Sequence, residues 1–281
     1  MPEYGISRAC RVLDLSRSVV YHKSQKNDTE VETELLRLAD QHPHEGFWKA
    51  WGRLRLEGRD WNHKRVHRVY KAIGLPLRRK AKKRLPARPK ESLVVPAAPD
   101  MTWSMDFMED RLENGRKVRC LNVLDDFNRE ALHVEIDHSL KSSRVIWVLN
   151  MLIRRRKVPE CIRMDNGPEY IAHMMRDWSK GHGITFQYIQ PGKPTQNAYV
   201  ERYNGSFRRG VLDAFIFTDL NQVRSQAANW IEDYNTHRPH DSLGGLPPKI
   251  YARQALLGAS PQEGLTTKRI SKRKLSTFNL S

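Results

Sequence analysis

Apolar positions follow a helical period at the start of the chain and a strand period from about residue 100. Ile6, Ala9, Cys10 and Leu13 recur at i, i+3, i+4 and i+7, the spacing of one helical face. Asp14-Leu15-Ser16 interrupts that pattern, and Ser16 is placed to cap a second short helix through Val19 and Val20. Further helices are expected over 31–41, with Val31, Leu35 and Leu38 on one face, and over 47–57, with Phe47, Trp51 and Leu54. Asn62 is placed to cap the next, whose apolar face is Val66, Val69, Tyr70 and Ile73 and whose end is marked by Gly74 and Pro76. From Met101 the segments MTWSMDFM, KVRCLNVLDD and EALHVEID read as strands, with Leu132, Val134 and Ile136 alternating in the last. Ser142 is placed to cap a helix with the stripe Val145, Ile146, Leu149, Leu152 and Ile153. CIRMD then reads as a strand, 169–181 as a helix and ITFQYI as a strand, with helices following.

Three strands, a helix, a strand, a helix, a strand and further helices is the order of an α/β fold with an RNase H-like mixed sheet flanked by helices. Short connections suit a meander for the first three strands, and helical crossovers suit the later ones. An all-α, helix-turn-helix-like region precedes it. The division expected is a helical DNA-binding region over 1–75, a basic linker over 76–99, a catalytic core over 100–250 and a basic, flexible tail over 251–281.

Charge narrows the partners. Lys and Arg number 49 against 32 acidic residues, a net +17, of which +12 falls within residues 1–90. Such a field favours polyanions, because each neutralised phosphate releases condensed counterions. The helix after Asn62 turns Lys64, Arg65, His67, Arg68 and Lys71 away from its apolar face, as a helix against a duplex would. The segment PLRRKAKKRLPARPK, with Arg78, Arg79 and Lys80, has eight basic and no acidic residues and cannot bury a core. Double-stranded DNA is the expected partner. No apolar run approaches the roughly 18 residues of a membrane span, and the first residues lack a secretory signal, so no membrane is expected and the place expected is the cytoplasm. Cys10, Cys120 and Cys161 form no CxxC pair and read as buried thiols rather than as a disulfide or zinc framework.

Phosphodiester chemistry on DNA needs an activated nucleophile and a stabilised leaving oxygen. Two divalent ions roughly 3.5–4 Å apart provide both, and hard ions such as Mg²⁺ or Mn²⁺ take carboxylate ligands. Asp106 interrupts the apolar strand WSMDFM, where a charge is costly without a cation. Asp165 ends CIRMD at the Asn166-Gly167-Pro168 turn, the strand edge at which such sheets place ligands. Glu201 lies in QNAYVERYNGSFRR, read as a helix in spite of Gly205, with Arg208 two turns further on the same face, placed to grip a phosphate. Each carboxylate taken singly also fits a turn, an edge-strand charge or a surface pair. Asp125 and Asp126 are adjacent and cannot both chelate one ion on a strand. His63 and His67 have the i, i+4 spacing of zinc ligands but no cysteine pair, and read as part of the basic face.

The segments TWSMDFMED, LNVLDDFNREAL, IRMDNGPEY, IQPGKPTQNAYVERYNGSFR and YNTHRPHDSLGGLPP resemble the OrfB-type transposases of two-frame bacterial insertion sequences, in the retroviral-integrase (DDE) superfamily. Thirty-five residues separate Asp165 from Glu201, the D,D(35)E interval of that group. The resemblance implies that Asp106, Asp165 and Glu201 are a metal-binding catalytic triad and that Arg208 is the basic residue that follows the glutamate. It implies cutting at the element ends with water and strand transfer by a 3′-OH, with no covalent protein–DNA intermediate. DNA contacts are expected at Arg208, Lys193, Asn166, Lys64, Arg65, Arg68, Arg78, Arg79 and Lys80. A homo-oligomer, an upstream OrfA partner or fusion, and a place on the bacterial nucleoid are expected as well. Trp48 departs from the family, which often has a Tyr-Arg-Arg-like run there. Two other functions stay open on the residues, a catalytically inert DNA-binding regulator and an RNase H-like nuclease.

Overall fold

The computed structural model describes residues 6–21, 27–77, 93–165, 167, 173–189 and 197–258. Five helices come first: α1 (Ile6–Val12), α2 (Arg17–Tyr21), α3 (Thr29–Gln41), α4 (Phe47–Leu56) and α5 (His63–Ala72). The apolar faces of α3, α4 and α5 close on one another through Val31, Leu35, Leu38, Leu54, Val66 and Val69. Asn62 caps α5 by accepting from the Lys64 N–H at 2.9 Å, and Gly74 leaves the helix with a φ of +75° that a side chain would resist. The stripe expected on α1 is not a buried face. Cys10 is buried, whereas Ile6 and Leu13 are 45% and 65% exposed. A helix of seven residues followed by one of five has too few turns to bury a full stripe.

Beyond residue 100 lie β1 (Thr102–Arg111), β2 (Lys117–Asp125), β3 (Ala131–Asp137), α6 (Ser142–Ile153), β4 (Cys161–Met164), α7 (His173–His182) and β5 (Thr185–Tyr188). They are followed by α8 (Ala198–Phe207), a π-helical turn (Arg208–Leu212), α9 (Leu220–Thr236) and α10 (Pro248–Leu256), which continues past residue 250. The sheet has the order β3-β2-β1-β4-β5. β1, β2 and β3 form the antiparallel meander, and β4 and β5 join in parallel through helical crossovers. The RNase H-like mixed sheet expected from the element order is the one observed.

The strand period divides the core in two. Trp103, Met105, Leu121, Val123, Ile162 and Met164 face α6 and α7, where Val145, Val148, Leu149 and Met175 are fully buried. Met108, Cys120, Leu124 and Ile136 face the other way, against Tyr203 and Phe207 of α8 and Trp230 and Tyr234 of α9. Gly210 lets the π turn lie directly on the Trp230 indole, since a Cβ there would collide with the ring. Two local expectations are corrected. A register shift between Val123 and Leu124 bulges β3, so Leu132 packs on the α6 side while Val134 packs on the α9 side, and the expected alternation breaks. Ser142 is the first helical residue of α6, and Lys141 holds the cap position. Of the thiols, Cys10 and Cys120 are buried and Cys161 is partly exposed.

The helical region is joined to the core. Arg53 of α4 donates to both oxygens of Glu45 and, at 2.8 and 2.6 Å, to both oxygens of Asp233 on α9. Gly52 permits this approach, because a Cβ would come within 2.8 Å of Pro239. The segments 78–92 and 259–281, which hold most of the expected linker and tail, lie outside the described residues. Among the described residues no helix is long and apolar enough to cross a membrane.

Candidate active site

β1 and β4 run in parallel with Ser104 beside Arg163, so two residues further along both strands lie Asp106 and Asp165. Both point to the α8 side of the sheet, which is apolar under α8 and α9 but polar where Arg163, Asp165, Thr185 and Gln187 follow one another. α8 supplies Glu201 from its first turn. Its start is fastened to β1 beside Asp106, because the Asn197 amide donates to the Met105 carbonyl at 3.2 Å.

Asp106 is half-buried and tightly held. Its Oδ1 accepts from the Phe107 N–H at 2.9 Å and its Oδ2 from the Asn204 amide at 2.7 Å. Asn204 Oδ1 in turn accepts from the Asn122 amide at 2.6 Å, deep under the sheet. Burial first, then the Asp165 carboxylate and more weakly Glu201, push the Asp106 pKa up to about 7 against these hydrogen bonds. Asp165 accepts from the Gly167 N–H at 3.1 Å, so it also makes the turn that its sequence suggested. Partial burial raises Glu201 as well. The three carboxylates thus share one field, but they stand wider than a closed cluster. Among the described residues the trio of His, Cys, Asp or Glu whose ligand atoms all lie within 4.8 Å of one another is elsewhere, at His42, Glu45 and Asp233. Three carboxylates, with the charge of Asp165 and Glu201 keeping Asp106 from ionising, are an all-oxygen donor set that would fit a hard divalent cation.

Other candidates fare differently. Arg208 is committed to the end of β1, donating to the Glu109 carbonyl at 2.8 Å and lying 3.7 Å from the carboxylates of Asp110 and Asp213. Arg208 stands at the C-terminal end of α8 with helical dihedrals, where the π turn begins. Lys64 is exposed, but Arg65 and Arg68 both pair with Asp28, at 2.9 and 2.6 Å. His63 and His67 do not join the basic face: His63 lies against Trp48 and Trp51, and His67 against Phe47, because their i, i+4 edge turns toward α4. Trp48 is itself 51% exposed. Asn166, Lys193, Arg78, Arg79 and Lys80 lie outside the described residues. Asn122 and Asn204 were not singled out in the sequence. Asn204 was findable as the i+3 neighbour of Glu201, whereas Asn122 shows itself only through its pairing with Asp106.

The chain matches the integrase core domain family over residues 96–194 and again over 182–248. An uncharacterized 31.7 kDa protein of insertion element IS407 from Burkholderia multivorans is 41% identical over 87% of this chain and 89% of its own length. A transposase of insertion element IS2 from Escherichia coli is 25% identical over 89% of this chain and 92% of its own. In fold, a chain of the simian T-cell lymphotropic virus intasome in complex with PP2A regulatory subunit B56 gamma has a TM-score of 0.51 at 17% identity, covering 86% of this chain and 80% of that one.

Proposed function

The chain belongs to the insertion-element transposases built on an integrase core, polynucleotidyl transferases, and within that family we propose that Asp106, Asp165 and Glu201 are its metal-binding catalytic triad. The observation that carries this reading is the placement of Asp106 and Asp165 at matching positions past the β1–β4 register pair, with both Asp165 and Glu201 helping burial push the half-buried Asp106 up to about 7. Family chemistry depends on divalent metal. Two Mg²⁺ or Mn²⁺ ions, which Asp106, Asp165 and Glu201 would hold, would supply Lewis-acid activation of an attacking water or 3′-OH and charge stabilisation at the leaving 3′-oxygen. The protein's part is to hold its ligands ready. Asn204 and the Phe107 N–H fix the Asp106 carboxylate, and Asn197 fixes the helix that carries Glu201. In this reading the exposed Thr185 and Gln187 of β5 lie on the side that a DNA end approaches.

The substrates in this reading are the element's terminal repeats and the target duplex. Two ends must be held together, so the working form contains at least two copies, with an upstream OrfA product as partner or fusion. Lys64, Lys193 and the basic segment at Arg78, Arg79 and Lys80 serve the DNA backbone. Arg65, Arg68 and Arg208 reach it only after releasing their acidic or carbonyl partners.

The test is made in cells that carry the intact element with its upstream frame. Excised circular element DNA is scored for the wild type and for Glu201→Gln, with expression and end binding checked. Loss of circles with binding retained supports the triad; circles at wild-type levels in the variant refute it.

A further inference from the structure

Asp126, unable to share an ion with Asp125, is connected to the site in another way. It sits in the turn between β2 and β3, fully buried. Its carboxylate accepts from the Ser104 hydroxyl on β1 and, at 2.6 Å, from Arg163 Nη1 on β4. Its backbone N–H donates to the Thr102 carbonyl at 3.0 Å. Ser104 lies two residues before Asp106, and Arg163 two before Asp165. The strand period therefore places each gripped side chain on the same face as the carboxylate that follows it. One buried carboxylate spans the two strands at their register pair, next to the site.

The same turn reaches the third element. The Arg129 guanidinium stacks on the Tyr199 ring, 3.4 Å from its centroid, and Tyr199 is two residues before Glu201 in the first turn of α8. Arg129 is 9% exposed and holds a φ of +63°, a left-handed conformation that a non-glycine residue keeps only where its surroundings demand it. Next to it, Asn128 donates to the Pro248 carbonyl at 3.2 Å and pins the turn from the opposite side. A buried ion pair is seldom more stable than an apolar pair of similar size. Stability alone does not account for one built between two central strands.

We propose that the β2–β3 turn is the positioning frame of the active site, with Asp126 and Arg163 setting Asp106 against Asp165 and Arg129 setting the helix that carries Glu201. The inference rests on the triad reading above. Asp126, Arg163 and Arg129 are positioning residues, and none of them need touch metal or DNA.

The test is Mn²⁺ binding by the full chain, read from the electron paramagnetic resonance signal of free Mn²⁺, with folding followed by circular dichroism. Simple electrostatics predicts that Arg163→Gln, which removes a cation near the site, tightens Mn²⁺. The positioning frame predicts the opposite, a weakening of roughly 10–100-fold for both Asp126→Asn and Arg163→Gln, as for groups that orient metal ligands. Arg129→Met, which also removes a cation, is expected to weaken binding in the same direction. Should Arg163→Gln not fold, the double variant Asp126→Asn/Arg163→Gln, with no change in net charge, replaces it and is expected to bind at least about tenfold more weakly. Wild-type or tighter binding by Arg163→Gln, or by that double variant, overturns the inference. Asp106→Asn separates the two levels. Its loss of Mn²⁺ binding beside unaffected positioning variants overturns the frame alone, and its retention of wild-type binding removes the triad reading and the frame with it.

Discussion

Two groups of acids in this molecule have similar composition and opposite electrostatics. Glu45 and Asp233 join the helical region to the core and, with His42, come closer together than the triad does. Burial would raise Glu45, but Arg53 hydrogen bonds and the charge of Arg238 override it and hold its pKa at about 2. At the triad no guanidinium takes part in the shift, and Asp106 is driven up to about 7. Proximity alone points to a different trio from the one proposed as the triad. The acids that already have cations join the helical region to the core, and the proposed triad is the group whose charge is left for a metal to balance.

The comparison is broken most severely at the triad. Asp165→Asn or Glu201→Gln is expected to reduce strand transfer at a 3′-OH end by at least about a thousandfold, comparable to losing a principal electrostatic stabiliser of the transition state. The melting temperature of the metal-free protein should not fall. A residual activity within tenfold of wild type would show that the carboxylate is not a ligand.

At the joint the prediction is reversed, with stability lost rather than chemistry. Arg53→Met leaves Glu45 buried and Asp233 unpaired and is expected to cost about 3–5 kcal/mol in urea unfolding, as broken buried pairs do. Glu45 also gives the joint an acid limit. Its contribution is complete above its ordinary pKa of 4.5 and is lost as pH falls toward 2. In Glu45→Gln the acid limb of the stability curve should flatten over that window.

Asp106 has the opposite sign. Its proton is bound more tightly in the folded chain, so it weakens the metal-free fold progressively as pH rises from about 4 to about 7. Asp106→Asn is expected to stabilise the metal-free protein by about 2 kcal/mol at pH 8, a full three-unit shift discounted for partial exposure. The same variant should lose the rise in melting temperature that Mn²⁺ gives the wild type. A substitution that improves the fold while removing metal binding is what a functional carboxylate should show.

Much of this was legible in the chain because period 2 and period 3.6 are local properties. The five strands, the helix caps at Asn62 and Gly74 and the positions of Asp106, Asp165 and Glu201 follow from spacing and from the resemblance their segments carry. What escaped was tertiary. The bulge at Leu132 depends on pairing with β2. Arg65 and Arg68 look like free cations until Asp28, the N-cap residue of α3 and two helices earlier in the chain, is brought beside them. Arg163 reads as a strand residue and Asp126 as a discarded ligand until the sheet places them 2.6 Å apart.

Asp28 supplies the smallest and most informative test, a third acid that lies between the other two in character. Like Glu45 it is held by two arginines, whose hydrogen bonds lower its pKa, but it is only partly buried and its partners Arg65 and Arg68 are more exposed, and such pairs add little to stability. Its main effect should then be on DNA. It occupies Arg65 and Arg68 and carries a charge that repels phosphate. Asp28→Asn is expected to tighten binding to terminal-repeat DNA about threefold at low salt and to steepen the dependence of affinity on salt concentration, since two more cations become available for phosphates. The melting temperature should barely change. Unchanged affinity and salt slope would mean that this face of α5 does not meet DNA. A large loss of stability would place Asp28 with Glu45, as part of the structure of the helical region.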